Sequence, residues 1–218
     1  MNRVFLFSLI LSSLINCFNT VAQVKDASNN LYSTVTIKNQ EWIIENLQTD
    51  KFRNGDLIKQ AKTKEEWIEA GKNNLPSWCY YNFDEKIGIK QGKLYNWFAV
   101  NDPRGLTPPG YKVPNDSDWM LLVENLGGNE IAGLKMKSET DWGNNGQGNN
   151  ESKFNAIPSG YIFNNGESFL GNTATYWWSN TAKDEKLSWS IGVTSEIKGI
   201  HRFHIENIQG LSIRAVKE

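Results

Sequence analysis

Residues 114–128 read Pro-Asn-Asp-Ser-Asp-Trp-Met-Leu-Leu-Val-Glu-Asn-Leu-Gly-Gly and carry the clearest helix signal in the chain. Four apolar residues recur at the i, i+3, i+4 and i+7 spacing of one helix face, namely Trp119, Leu122, Val123 and Leu126. The Pro-Asn-Asp step at 114–116 is a start signal, and the glycines at 127–128 end the run. We therefore predict one amphipathic helix here.

The sequence on both sides of this helix favours short strands joined by loops. Nine Trp, seven Tyr, ten Phe and eighteen Gly are spread over short apolar runs that Asn and Gly interrupt. A hairpin is predicted from 34–37 and 42–44, and further strands at 134–136, 161–163, 176–179, 188–193, 199–205 and 211–216. A second short helix is predicted from the capping box of Thr63 and Glu66 to Gly71. No repeat of 20 to 50 residues is present, which disfavours solenoids and propellers.

The N-terminus has the layout of a secretory signal. Arg3 precedes an apolar stretch over 4–15, and small residues follow up to Ala22. The stretch is shorter than the roughly 20 apolar residues that cross a bilayer, so we predict no transmembrane span in the mature chain. We predict a signal peptide over 1–22, cleaved after Ala22, and a single domain over 23–218. Lipidation of Cys17 is the alternative.

Charge and cysteine content exclude several function classes. The formal net charge is −1, with acidic and basic residues interspersed, so the chain has no field that would attract nucleic acid. Cys79 is the only cysteine in 23–218, and we expect a buried inert thiol there, with a reactive thiol as the alternative. His201 and His204 are three apart in a predicted strand, so they point to opposite faces and share no metal.

Catalytic motifs are also missing from the sequence. It contains no nucleophile elbow, phosphate-binding loop or dinucleotide fingerprint. We therefore expect a protein that is not an enzyme, with no catalytic residues, no metal ligands and no cofactor. A polysaccharide-acting enzyme stays open, because it would need only two carboxylates facing each other in a cleft.

Aromatic residues beside amides are the candidate ligand-binding groups, because aromatic faces stack on sugar rings and amides bind hydroxyl groups. The main candidate is Trp142, which lies in a tract of Asn, Gly and Gln that also contains Asn144 and Asn145. Its ring is expected either exposed or half-exposed on a functional loop, or buried. Tyr176 and Trp177 are weaker candidates. By contrast, Trp97, Trp119 and Trp189 have apolar or periodic surroundings and are expected in the core.

Several collinear motifs resemble the Fibrobacter succinogenes major paralogous domain family. The resemblance covers 35–217 and includes Trp42-Ile43-Ile44-Glu45-Asn46-Leu47, Trp78-Cys79-Tyr80-Tyr81-Asn82, Gly92 to Val100, Gly110 to Pro114, Phe154 to Gly160, Trp177-Trp178-Ser179 and Ser212 to Val216. It implies an exported or lipid-anchored protein of the kind common in Bacteroidetes. It also implies an α+β fold of the C-type-lectin-like class, shared with formylglycine-generating enzymes: small twisted antiparallel sheets, one or two helices and long irregular loops.

This chain departs from the family pattern in three respects. Many relatives carry a cysteine near Thr107 or Pro108 and another at Ala215, so the resemblance implies that a disulfide has been lost here. The paired C-terminal cysteines of the oxidase branch are absent, which excludes that chemistry. The step Trp178-Ser179-Asn180-Thr181 lacks the Asp of calcium-dependent lectins, so the sequence does not favour calcium there, although calcium stays open.

These observations predict an exported, non-catalytic binding module that is secreted, periplasmic or on the cell surface. Its expected ligand is a glycan or an envelope protein. The alternatives are a structural or assembly component of the cell envelope and, third, the polysaccharide-acting enzyme. Similarity of fold alone does not choose among them.

Overall fold

The computed structural model describes residues 23–218, which form thirteen strands and five helices. The helices are α1 (Lys64–Lys72), α2 (Glu85–Gln91), α3 (Trp97–Val100), α4 (Asp116–Asn125) and α5 (Ala132–Met136). The strands are β1 (Gln23–Lys25), β2 (Leu31–Ile37), β3 (Gln40–Ile43), β4 (Lys59–Gln60), β5 (Ser77–Cys79), β6 (Leu94–Tyr95), β7 (Tyr111–Lys112), β8 (Tyr161–Ile162), β9 (Ser168–Phe169), β10 (Ala174–Ala182), β11 (Leu187–Thr194), β12 (His201–Glu206) and β13 (Val216–Lys217). The predicted α+β class is confirmed, with several small, mainly antiparallel sheets.

The largest sheet joins the two ends of the described chain. Its five strands have the order β1-β2-β3-β13-β7. The predicted opening hairpin is confirmed as β2 and β3, which pair from Thr34↔Ile43 to Ile37↔Gln40. The C-terminal strand then pairs with this hairpin at Val216↔Trp42. This long-range pairing closes the fold.

A second sheet, of order β10-β11-β12, positions the candidate site. Tyr176 is opposite Gly192, and Trp178 is opposite Ser190, which in turn is opposite Phe203. Because side chains alternate along a strand, Tyr176, Trp178 and Phe203 lie on one face. The other face carries Trp177, Ile191 and Val193, which pack in the same buried cluster as the apolar residues of α4.

Both predicted helices are present, with their predicted start signals. Thr63 accepts a hydrogen bond from the backbone N–H of Glu66 at 3.3 Å and caps α1. Asn115 and Asp118 form a reciprocal capping box at the start of α4. At the start of both helices, a side chain thus accepts a hydrogen bond from a backbone N–H group that has no partner within the helix.

One strand prediction is wrong. Residues 134–136 belong to α5, because a short apolar run has no periodicity that separates a strand from a helix. Two short helices, α2 and α3, were not predicted, and they contain only seven and four residues. Of the predicted strand at 211–216, only Val216 lies in a strand, and the rest is extended chain with isolated bridges at Leu211 and Ser212.

Stacked aromatic rings fill the core between the two main sheets. Trp119 lies 4.8 Å from Trp42 and 5.7 Å from Trp177, centroid to centroid, and Phe154 meets all three rings edge-on. Trp97 and Trp119 are buried as predicted.

Trp189 is not in the core, so that prediction is wrong. It is only half-buried, near one end of β11 on the same face as Ile191 and Val193, and the guanidinium of Arg202 lies 4.0 Å from its ring centroid. The predicted signal peptide over 1–22 and the alternative lipidation of Cys17 both fall outside the described residues.

Candidate functional site

The loop around Trp142 does not present an exposed ring. The Trp142 side chain is buried, with 7% of its surface exposed. Its indole N–H donates to the Ser138 hydroxyl and to the carbonyl of Ala156, both at 3.1 Å. The expectation of an exposed or half-exposed ring is therefore wrong, and the alternative of a buried ring is confirmed. The hydrogen bonds of Trp142 connect the loop to Ser138 and Ala156. Asn144 and Asn145 are exposed on the 3₁₀ turn that follows.

Trp177, one of the two weaker candidates, is a core residue. It is fully buried, and its indole N–H donates to the side-chain oxygen of Asn46 at 2.9 Å. Its ring stacks on Trp119. Of the two weaker candidates, only Tyr176 therefore reaches a surface concavity.

Tyr176 lies in an aromatic groove, which we define by Tyr161, Phe163, Tyr176, Phe203, Ile205, Gln209 and Leu211. The groove is open to solvent and has a volume of about 240 Å³. β10 and β12 contribute Tyr176 and Phe203 from the same face of the second sheet, and the β8–β9 hairpin contributes Tyr161. The chain thus brings together residues that lie far apart in sequence.

Small residues of the central strand make room for the groove. Ser190 and Gly192 lie on β11 between the rings of Tyr176 and Phe203. A Cβ atom at Gly192 would lie 2.1 Å from Cδ1 of Tyr176. The Tyr176 ring therefore packs directly on the Gly192 backbone, and only glycine permits this position.

The aromatic rings hold one another in fixed orientations. Tyr176 meets Tyr161 edge-on at 5.7 Å and Phe203 at 5.4 Å. Tyr161 is stacked on Phe169 at 5.7 Å. Each such pair stabilises the arrangement beyond simple burial. Because the rings hold one another, the parts of them that line the groove are fixed in place before any ligand binds.

The hairpin that carries Tyr161 is joined to the floor of the groove through its backbone. Ile162 and Gly210 exchange two hydrogen bonds, at 3.0 and 2.9 Å. A Cβ atom at Gly210 would lie 2.3 Å from the Ile162 side chain, so this close approach also requires glycine. Gln209 and Leu211 are thereby placed on either side of the contact.

Polar groups of the groove are phenol hydroxyls and one amide. Burial raises the pKa of Tyr161, and it raises the pKa of Tyr176, with smaller contributions from Tyr161 and Glu196. Both hydroxyls therefore stay protonated at neutral pH and can donate. Gln209 is 7% exposed, and within residues 23–218 its side-chain amide makes no hydrogen bond, while its polar atoms remain accessible to solvent. A ligand in the groove can therefore replace water as their hydrogen-bond partner.

A second concavity has a volume of about 370 Å³. The apolar residues Phe98 and Ile208 line it together with polar residues, which include Asn164, Glu185, Lys186, Glu206 and Asn207. The side-chain amide of Asn164 donates to the Glu206 carboxylate at 2.7 Å.

The two histidines lie on opposite faces of β12, as the strand spacing predicted. His201 is opposite Gly192, and His204 is opposite Trp189. Across the described part of the chain, no three His, Cys, Asp or Glu side chains are grouped so that they could hold a metal ion.

Cys79 is a buried thiol. None of its surface is exposed, and burial raises its pKa well above the usual value. A thiolate is the reactive form of cysteine, so the structure favours the inert alternative over the reactive one.

The chain matches the family model of the Fibrobacter succinogenes major domain over residues 35–217. No curated protein and no solved structure shows significant similarity to it. None of the helices in 23–218 combines the length and the apolar character needed to cross a membrane.

Sequence reasoning found Tyr176 but missed Tyr161, Phe203 and Gln209. Alternation along the predicted strand 199–205 places Phe203 and Ile205 on one face, and that signal was available. Nothing in the sequence connects this face with Tyr161, because the contact depends on how the β8–β9 hairpin folds back onto Gly210.

Proposed function

The chain belongs to the Fibrobacter succinogenes major domain family, and we propose that its aromatic groove binds a glycan. On this proposal, the protein is an exported, non-catalytic binding module. The observation that carries the proposal is the combination, in one concavity, of aromatic side chains with a solvent-accessible amide that makes no hydrogen bond within residues 23–218. The C–H faces of sugar rings pack on aromatic rings, and their hydroxyl groups pair with phenol and amide groups.

The size of the groove supports a ring-sized ligand unit. Its 240 Å³ lies below the roughly 300–1,000 Å³ of sites that enclose drug-sized molecules. One sugar ring on Tyr176, with a hydroxyl group at Gln209, matches this volume and this chemistry. Phenol and amide groups bind hydroxyls directly, so we propose that binding does not require calcium.

We further propose the C-type-lectin-like assignment of the fold. It is supported by the pairing of the chain ends in one small sheet, by the separate three-stranded sheet and by the long irregular segment between α5 and β8. The proposal for export and for a periplasmic or surface location rests on the sequence of residues 1–22. A mature N-terminus at Gln23 would support cleavage after Ala22, and a lipid-modified Cys17 would support the alternative.

A glycan array probed with purified 23–218, once with calcium and once with chelator, tests the ligand class. We expect binding to at least one glycan, at equal strength under both conditions. A blank array would contradict the proposal, and loss of binding with chelator would contradict calcium independence.

Two variants test the site. Gln209→Met keeps the side-chain volume and removes the amide, so it should weaken binding by roughly tenfold while leaving the unfolding midpoint unchanged or higher. Tyr161→Ala should also weaken binding, because it removes one stacking face. The matched controls are Gln48→Met and Trp189→Ala, which change a half-buried amide and a half-buried ring outside the groove. Equal losses from the controls would place the ligand elsewhere.

The second candidate function is assembly within the cell envelope. It is favoured by Phe169 and Leu170, which are adjacent at the end of the β8–β9 hairpin and 39% and 46% exposed. Leu170→Asn suits the positive φ of this residue and removes the apolar group. If assembly is the function, this variant should lose co-purification with an envelope complex. If glycan binding is the function, it should keep the wild-type array profile.

The third candidate, a polysaccharide-acting enzyme, draws on Glu185 and Glu206, which line the same concavity. Incubation of the protein with the glycan it binds tests this reading by chromatography of the products. We expect the intact glycan only, and shortened chains would favour the enzyme.

A further inference from the structure

The lining of the aromatic groove offers few hydrogen-bonding groups. Of its side chains, only Tyr161, Tyr176 and Gln209 carry polar atoms. The floor adds little, because β11 is the central strand of its sheet and its backbone pairs with β10 and β12. The hydroxyl group of Ser190 on this strand is already engaged, since it donates to the carbonyl of Phe203 at 3.0 Å. A sugar ring in the groove therefore finds partners for only part of its hydroxyl groups.

The rest of the groove is covered by an apolar lining, which we define by Phe163, Phe203, Ile205 and Leu211. Phe203 and Ile205 are two residues apart, so they share one face of β12. The backbone N–H of Gln209 donates to the carbonyl of Glu206 at 2.9 Å, and this turn brings Gln209 back towards the Ile205 end of the strand. An apolar surface and a hydrogen-bonding amide thus lie next to each other.

Within residues 23–218, no charged side chain lines the groove. Arg202 and Glu206 alternate with Phe203 and Ile205 along β12, so they belong to the opposite face, where Arg202 binds Asp116. A charged sugar in the groove would give up its water without gaining an opposite charge. The lining therefore favours a neutral sugar.

The chemical group that contacts the apolar lining should have a large effect on affinity. A hydroxyl group there would lose its water partner and find no other, which should weaken binding by roughly fivefold or more. A methyl group is removed from water instead, which should strengthen binding by about fourfold. Exchange of a hydroxyl for a methyl group at this place should therefore raise the affinity by roughly tenfold or more.

We propose that the groove selects a neutral sugar that carries a methyl group, with the methyl group on Phe203 and Ile205 and a hydroxyl group at Gln209. The methyl group can belong to a 6-deoxy sugar or to the N-acetyl group of a hexosamine. This inference rests on the proposed glycan-binding function of the groove. It adds the class of sugar, which that function alone does not imply.

NMR titration of 23–218 with free sugars tests the inference. The parent sugars are glucose, galactose and mannose, and each is compared with its 6-deoxy derivative, its 2-acetamido-2-deoxy derivative and its uronic acid. We expect at least one methyl-bearing derivative to bind roughly tenfold more tightly than its parent. Each uronic acid should bind more weakly than its parent. Preference for the 6-deoxy sugar would place the methyl group at C6, and preference for the acetamido sugar would place it at C2.

A variant connects the preference with the apolar lining. Ile205→Thr keeps the β-branched shape that suits a strand and places a hydroxyl group in the lining, so the tenfold preference should fall to about threefold or less. The matched control is Ile200→Thr. Ile200 is also half-buried, but it packs against the buried cluster on the other face of the sheet. The control should retain the preference. Because the readout is a ratio of two affinities, a uniform loss of binding does not imitate the expected result.

The outcomes separate this inference from the proposed function. Equal affinity for the parents and their methyl-bearing derivatives would overturn the inference and leave the groove as a glycan site. Binding on the array without binding of any methyl-bearing sugar would have the same meaning. Retention of the full preference by Ile205→Thr would overturn the placement of the methyl group. A blank array together with no binding of any free sugar would overturn the proposed function and the inference together.

Discussion

Replacement of Arg214 by methionine should destabilise the fold strongly. Arg214 is fully buried, and burial lowers its pKa to about 9, so its guanidinium still carries a charge at neutral pH. No carboxylate within residues 23–218 forms an ion pair with it. Its hydrogen bonds go to the side chain of Asn46 and to the carbonyls of Ile43, Ile44, Phe154 and Asn155. Its cation also lies 4.6 Å from the Phe154 ring centroid.

The magnitude follows from the carbonyls that would lose their donor. Asn46 keeps the indole N–H of Trp177, and Asn155 is exposed and can bind water instead. Phe154 is fully buried and Ile44 is half-buried, and neither carbonyl receives a hydrogen bond from another residue in 23–218. At about 1–3 kcal/mol for each unsatisfied group, the loss is about 2–6 kcal/mol. Removal of a buried charge offsets part of it, so we expect about 3 kcal/mol.

Urea unfolding of 23–218, followed by tryptophan fluorescence, measures this loss. With a slope of about 2–3 kcal/mol per molar urea, the midpoint should fall by about 1–1.5 M. The matched control is Arg202→Met, because Arg202 also stacks on a tryptophan and binds Asp116 at 2.8 Å but is 36% exposed. That surface pair should contribute less than about 1 kcal/mol. Equal midpoint shifts for the two variants would refute the reasoning from burial.

Three further predictions concern the groove, the thiol and a buried amine. Gly192→Ala would place a Cβ atom 2.1 Å from the Tyr176 ring, so it should cost about 1–3 kcal/mol in thermal unfolding and weaken glycan binding, whereas an unchanged melting temperature would contradict the packing. Cys79 should react with Ellman's reagent at pH 8 only after unfolding in guanidinium, and rapid labelling of the folded protein would show that the thiol is accessible. Burial lowers the pKa of Lys93 to about 8, so between about pH 8 and 10.4 the unfolded chain binds more protons and the free energy of unfolding should rise. Lys93→Met should remove that rise, and an unchanged pH profile of unfolding would show that Lys93 does not cause it.

Features of the fold that depend on local sequence could be predicted. The helices α1 and α4 follow from capping residues and apolar spacing, and both begin where Thr63 and Asn115 indicate. The hairpin of β2 and β3 follows from β-branched residues on each side of a short turn. In each case the determining contacts lie within a few residues, so the pattern alone is sufficient.

Features of the fold and of the site that depend on distant contacts could not be predicted from the sequence. Trp142 lies in an Asn- and Gly-rich tract, which indicates a surface loop, yet its ring is buried because the loop folds over Ser138 and Ala156. The groove depends on the return of the β8–β9 hairpin to Gly210 and on the lack of a side chain at Gly192. Sequence spacing indicates which residues share a strand face, but not which second element covers that face.

The position of the bound ligand tests the central claim most directly. A crystal structure of 23–218 with the tightest-binding oligosaccharide should show one sugar ring stacked in the groove against Tyr176, with a hydroxyl group hydrogen-bonded to the Gln209 amide. An oligosaccharide bound instead at Asn144 and Asn145, or at Trp189 on the face of the second sheet opposite the groove, with the groove empty, would contradict the account.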